Sequence, residues 1–408
     1  MKPFSSHILS NGIQVLCVPN PKSPVVYLGW GCRAGASQDS IPGIAHLCEH
    51  LMFTGTQTYP DYDQILLQKG TKNNAWTDYD ATVYEIETTA DHLISILEIE
   101  KDRLLHLSVD LNLQKFKREQ QVVCNERKEA FDTNPMEQWE EKVPALLFGT
   151  KHPYGHPIIG FHESISSITP ADVQHFINTW YQPSRISLCL AGSFNEQYVV
   201  EYLENTWGNN KFQDTKPNNI RITVPHSPKN ERFEMTLSNA PPQLILQWII
   251  PENEDTKAQI LAIILNSPQF GLLYPELVFK QALAIDVDVH VETRAALSIF
   301  EICIILKAEN FRARVHAYIS TVLAQLSHNP LHHDILQKAR NRMRLLWYLE
   351  SEELQQYRDI LLSWHMFHSY SLEEYILSYE QITEKDLQDF VQKLSSSTYL
   401  EGVCYAAP

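Results

Sequence analysis

The 408-residue sequence contains no apolar run approaching the ~18 to 20 residues of a membrane-spanning helix, so no helical membrane span is expected. It is also short of positive charge. Lys and Arg number 33 against 49 Asp and Glu, a formal net charge of −16, the wrong sign for a phosphate backbone or an anionic lipid surface. Neither nucleic acid nor membrane is an expected partner. The cysteines number only seven, odd and scattered through apolar stretches, so they read as small buried hydrophobes in a reducing compartment rather than a disulfide framework. Residues 1–12 lack both an apolar signal core and the Arg-rich character of an organellar presequence. The expectation is a cytoplasmic protein, with the periplasm left open.

What is present is enough to fold. Hydrophobic residues make up 44% and aromatics 10%, sufficient to offset ordering entropy, and the length exceeds what one core usually serves. An internal repeat accounts for that length. The segment from Ile168 to Ile177 reads against that from Ile382 to Val391, each opening a helix with Thr at the cap, an acidic residue three positions on, and apolar residues at helical spacing. A strand-like run follows each, Ile186 to Ala191 and Tyr399 to Cys404. The join is expected in the Asn/Pro/Lys-rich stretch around Pro217, Pro225 and Pro228, which divides the chain into residues 1–215, a linker at 216–230, and 231–408.

Strands are expected from Ile13 to Val18, Val25 to Cys32, Thr82 to Thr88, Leu244 to Ile250 and Ser298 to Lys307. Helices are expected from Leu93 to Leu107, Leu113 to Phe131, Ala313 to Leu326 and, without a break, Ile335 to Leu362. The fold class is α+β in two similar halves.

The chemistry concentrates in Gly43-Ile44-Ala45-His46-Leu47-Cys48-Glu49-His50-Leu51-Met52-Phe53. On a helix, His46 and His50 are neighbours at i and i+4 and can share one tetrahedral metal, with Glu49 on the same face. This is the His-x-x-Glu-His spacing of an inverted zincin. A third ligand is on offer in the helical stretch after Leu113, where Glu119 and Glu126 stand seven positions apart on one face; a solvated acidic face would read the same way. The remaining histidines, His328, His332, His333, His365 and His368, read as loop and packing residues.

Together these residues resemble the pitrilysin or insulinase group of zinc metallopeptidases, within it the shorter chains similar to mitochondrial processing peptidase and its bacterial relatives. Further matches are Phe53-Thr54-Gly55-Thr56, Asn74-Ala75-Trp76-Thr77 with Thr82 and Tyr84, His152-Pro153-Tyr154-Gly155 with Gly160, and Tyr181 with Pro183. The likeness is dense in the first half and outlined in the second. It implies two tandem homologous halves, each a mixed or antiparallel sheet covered by helices, forming half of a clam-shaped chamber. It further implies Zn2+ on His46, His50 and Glu126, Glu49 as general base, Glu119 as a carboxylate orienting a ligand imidazole, and Asn74 and Ala75 as contacts to an extended substrate. For that last pair a polar turn before a strand remains an alternative.

The second half has no His-x-x-Glu-His. Where single-chain family members carry an Arg and a Tyr that grip the substrate, Leu272 and Ile285 stand here. The resemblance therefore implies a peptide-cleaving heterodimer whose homologous partner supplies the Arg/Tyr pair. The alternatives are a homodimer or lone chain using Arg294, a non-catalytic scaffold subunit, and a module that binds peptides without cutting them.

Overall fold

The computed structural model describes residues 3–107, 112–209, 222, 232–238, 240–329, 331–368 and 371–407. Apart from residue 222, the expected linker at 216–230 lies outside them. Two compact units emerge, one of residues 1–130, 156–221 and 348–369, the other of 131–155, 222–347 and 370–408. Neither follows the sequence continuously.

Among the described residues each unit holds one sheet. The first comprises β1 (Ser5–Ile8), β2 (Gln14–Pro19), β3 (Val25–Cys32), β4 (Lys72–Thr77), β5 (Thr82–Thr89) and β6 (Ile186–Gly192), in spatial order β1-β2-β6-β3-β5-β4. The second comprises β7 (Arg232–Leu237), β8 (Gln243–Pro251), β9 (Ala284–Thr293), β10 (Leu297–Leu306) and β11 (Leu400–Ala406), in order β7-β11-β8-β10-β9. Leaving β1 aside, the two orders coincide. In each, the first and last strands of the half pair in parallel and the other neighbours are antiparallel. The repeated caps are also the same, Thr169 with Asp172 and Thr383 with Asp386 exchanging reciprocal hydrogen bonds. The two halves are thus tandem copies of one α+β architecture.

Side-chain alternation sorts the first sheet's faces. Leu28 and Trp30 on β3 and Leu188 and Leu190 on β6 join Leu47, Leu51, Ile96, Leu97 and Phe176 in one apolar core. The opposite face is stripped of bulk: Gly29 pairs with Cys189 and Gly31 with Ser187. Into that shallow surface packs helix Leu354–Phe367. A Cβ on Gly29 would stand 3.0 Å from Arg358 Cδ, and one on Gly31 would stand 2.8 Å from Met366 Sδ. The second unit uses the same device with helix Glu137–Phe148, whose Trp139 would leave only 2.0 Å to a Cβ on Gly402. Because a rigid indole cannot retreat, Gly402→Ala is expected to cost about 1–3 kcal/mol or more by chemical denaturation. Wild-type stability would contradict this packing.

One sequence expectation needs correction. The stretch from Ile335 to Leu362 is two helices, His333–Glu352 and Leu354–Phe367, separated by Glu353 with extended backbone at φ −81°, ψ 122°. Amphipathic periodicity persists across the break, and no Pro or Gly announces it. The boundary between the two units falls close by, between residues 347 and 348, within the first of these helices. Strands β1, β4, β7 and β9 are additions to the expected set. All four are sheet edges, although in β9 the alternation Val287, Val289 and Val291 against Asp288, His290 and Glu292 is a legible strand signal.

The seven cysteines are all free, six of them buried, as expected for small hydrophobes. Among the described residues, no helix is long and apolar enough to cross a membrane.

Candidate metal centre

The helix that carries the two histidines spans Ile44–Leu51. Its start is built by two neighbours. Half-buried Asp39 accepts from the Gly43 and Ala45 amides at 2.6 and 3.0 Å, satisfying first-turn donors. Gly43 adopts φ 93°, and a Cβ there would meet the Ile159 carbonyl at 2.6 Å, so the close approach of Gly160 requires glycine.

Beyond its other end lies an aromatic box. The Arg103 guanidinium sits 4.5 Å from the Tyr62 ring, 4.8 Å from Tyr84, 5.3 Å from Phe53 and 5.5 Å from Trp30. Fully buried Glu100 neutralises it while accepting from Trp30 Nε1 and Tyr62 OH, each at 2.7 Å. Both charges are therefore paired, and the carboxylate is further hydrogen-bonded, which makes their burial tolerable. Nothing in the local sequence signals this box.

His46 and His50 stand with ring centroids 4.8 Å apart. Helix Leu113–Thr133 brings Glu126 to them: Oε2 is 3.2 Å from His50 Nε2 and Oε1 is 3.9 Å from His46 Nε2. That helix is anchored by buried Phe116 and Val123 and by Gln120, whose amide donates to the Ile165 and Ile168 carbonyls at 2.7 and 3.0 Å. No sequence signal marks Gln120 for this anchoring role. Potential ligand atoms of His46, His50 and Glu126 all lie within 4.8 Å of one another.

These three residues fit a zinc ion. Ligands at ~2.0–2.2 Å from a tetrahedral centre stand about 3.3–3.5 Å apart, a spacing bracketed by the two carboxylate distances. Two imidazoles and one carboxylate also leave the fourth position that a catalytic site needs. Burial, with the neighbouring His50, pushes the His46 imidazole down to about 4, so it is neutral, the ligating form. Among the described residues its buried Nδ1 has no hydrogen-bond partner. His50 is also disfavoured as a cation by burial, yet its hydrogen bond to Glu126 and the Glu126, Glu49 and Glu119 charges raise its pKa overall. Glu126 is lowered reciprocally, chiefly by that hydrogen bond.

Glu49 is only 8% exposed, and burial raises its pKa. Its Oε2 accepts from Thr77 Oγ1 at 2.6 Å. Glu119 stands beside the other nitrogen of His50, with Oε2 at 3.9 Å from Nδ1, an electrostatic neighbour too distant for a hydrogen bond. Its Oε1 is held by Arg118 at 2.8 and 2.9 Å. Asn74 and Ala75 lie inside β4 and not in a turn ahead of it. Among the described residues β4 pairs only with β5, which leaves its outer edge open.

In the second unit, Leu272 is half-buried and Ile285, the second residue of β9, is 51% exposed. Arg294 is engaged there: it pairs with Glu292 at 2.7 Å and lies over the Phe148 and Tyr154 rings at 5.1 and 4.9 Å.

The sequence pattern described as "Insulinase (Peptidase family M16)" matches residues 14–160, and "Peptidase M16 inactive domain" matches 167–343. The chain belongs to peptidase family M16. The inactive-domain match falls on the half without the histidine motif. Among M16 relatives, "Zinc protease PqqE" of Helicobacter pylori is 28% identical over 294 residues, 68% of this chain and 64% of that protein. "Probable mitochondrial-processing peptidase subunit beta" of Arabidopsis thaliana is 28% identical over 203 residues, 48% of this chain and 37% of that one. The chain thus covers less than two thirds of these curated relatives. A crystal structure of a protease from Helicobacter pylori superposes with TM-score 0.82 at 22% identity, covering 100% of both chains, a likeness that shows a shared fold.

Proposed function

We propose that this chain is a zinc metalloendopeptidase, acting on peptides or unfolded segments as the zinc-bearing subunit of a heterodimer. What supports the reading most is the convergence of His46, His50 and Glu126 next to Glu49, a carboxylate that a metal site alone does not need. Held by the first three, Zn2+ would supply Lewis acidity, withdrawing electron density from a peptide carbonyl and acidifying water. Glu49 takes the proton from the attacking water and delivers it to the leaving amine. The open edge of β4 at Asn74 and Ala75 offers main-chain hydrogen bonds that align an extended substrate beside that carboxylate. Glu119 and Arg118 form a charged pair at the His50 imidazole and support its orientation.

Leu272 and Ile285 cannot grip a substrate backbone as an Arg and a Tyr would, which is the ground for expecting a second chain. The names of the relatives fit both parts of the proposal, one being a zinc protease and another a subunit.

A quenched-peptide assay tests it. Cleavage is expected to vanish with a chelator, return with zinc, and rise strongly when a homologous subunit carrying Arg and Tyr is added. Cleavage indifferent to chelation would defeat the metallopeptidase reading, and an isolated chain as fast as the mixture would defeat the heterodimer.

A further inference from the structure

We propose that Thr77 is the positioning residue for Glu49. The inference deepens the peptidase reading and rests on it.

Proton accounting gives the direction of the contact. Thr82 Oγ1 donates its single proton to the Ala34 carbonyl at 2.9 Å. At the 3.4 Å contact between Thr77 and Thr82, Thr82 therefore has no proton to offer. Thr77 sits at the end of β4 opposite Thr82, within a rigid ladder, and directs its own proton to Glu49 Oε2 at 2.6 Å. A hydrogen bond to an ionised carboxylate is stronger than a neutral one, and here it is partly shielded from solvent. Among the described residues Glu49 Oε1 accepts no hydrogen bond. One oxygen is thus tied to the sheet and the other is left for a proton from water.

The second half provides an internal contrast. There Thr293 on β9 pairs with Ser298 on β10, at the place in the sheet that Thr77 and Thr82 occupy in the first. Both hydroxyls donate to Asp255 Oδ1, at 2.8 and 2.7 Å, and Asp255 begins the helix after β8 as Glu49 lies on the helix after β3. Asp255 Oδ2 is also filled, by Tyr375 OH at 2.8 Å and Gln259 Nε2 at 3.0 Å. The same carboxylate-to-hydroxyl arrangement is saturated where no metal motif exists and half-open where one does. Thr77 supplies the minimum that holds Glu49 in place without closing it.

The test uses the full chain, with its partner where activity requires one. Thr77→Val keeps the branched shape and removes the donor. It is expected to lower kcat by about 10- to 100-fold while KM and one zinc per chain are unchanged; Thr77→Ser restores the hydroxyl and with it kcat. In chelator, Thr77→Val should lower the melting temperature of the metal-free chain, and lower it less when Glu49 is already Ala, because the bond to be lost is then absent. Wild-type kcat in Thr77→Val, equal losses in the Val and Ser variants, loss of zinc, or additive melting shifts would each overturn the assignment. If the zinc-loaded wild type, with the homologous partner present, cuts no peptide, the peptidase reading fails instead, and the melting cycle alone decides whether Thr77 holds Glu49.

Discussion

Glu49→Gln is expected to reduce peptide cleavage by about 10²- to 10⁴-fold while leaving one zinc ion per chain. The amide has the shape of the carboxylate and its oxygen can still accept from Thr77 Oγ1, so the helix Ile44–Leu51 and the ligand atoms of His46 and His50 have no reason to move. What the amide cannot do is take a proton. Glu126→Gln is the complementary case. It removes the anionic donor that draws both imidazoles together, at 3.2 and 3.9 Å, and leaves two neutral ligands where catalytic zinc sites use three. Zinc is expected to be lost, and activity with it. Metal content by atomic spectroscopy beside cleavage of a quenched peptide separates the two variants. An active Glu49→Gln, or a Glu126→Gln chain that retains stoichiometric zinc, is incompatible with the roles assigned.

A fragment ending at residue 215 is expected not to fold, although it contains every proposed zinc ligand. The sheet face bearing Gly29 and Gly31 is covered by helix Leu354–Phe367, which lies far beyond that end. Tyr357, Leu361, Leu362 and Met366 are each at most 1% exposed. Burying four such side chains is worth about 6–12 kcal/mol, comparable to the whole ~5–15 kcal/mol stability of a domain. Arg358 is completely buried as well, donating to the Leu28 carbonyl at 2.9 Å and lying 3.5 Å from Glu85. Its loss removes a donor from that carbonyl and the neighbouring positive charge from that carboxylate, which keeps only Trp76 Nε1 at 3.0 Å as a side-chain donor among the described residues. Insolubility, or far-UV without near-UV circular dichroism, is the expected outcome for 1–215, with improvement when residues 348–369 are appended. A cooperatively unfolding 1–215 fragment would show that the helix is dispensable.

Much of the site is legible in the sequence because its signals are local. His46, Glu49 and His50 fall within two turns of one helix, where spacing dictates a common face whatever surrounds it. The caps at Thr169 and Thr383 and the central strands β3 and β8 are local in the same sense, each reporting a short-range hydrogen-bond or burial pattern. Glu126 is identifiable only through a family resemblance, since seven-residue spacing between glutamates equally describes a solvated face. Thr77 stands in plain sight at the end of Asn74-Ala75-Trp76-Thr77. Its role does not, because a threonine in a strand says nothing about which carboxylate lies across from it.

Hydrophobic periodicity, capping pairs and the histidine spacing are sufficient for an α+β chain of two similar halves with one candidate metal helix. They cannot place the third ligand in space, break the helix at Glu353, or assign helices Glu137–Phe148 and Leu354–Phe367 to the sheets they cover. Nor can they reveal Arg103 inside its four rings, or the single hydroxyl that holds Glu49. The division has one cause. Backbone geometry ties neighbours a few residues apart to known relative positions, whereas contacts between distant segments arise only from the packing of the whole chain, where a glycine's missing side chain or a buried charge's one partner decides what fits.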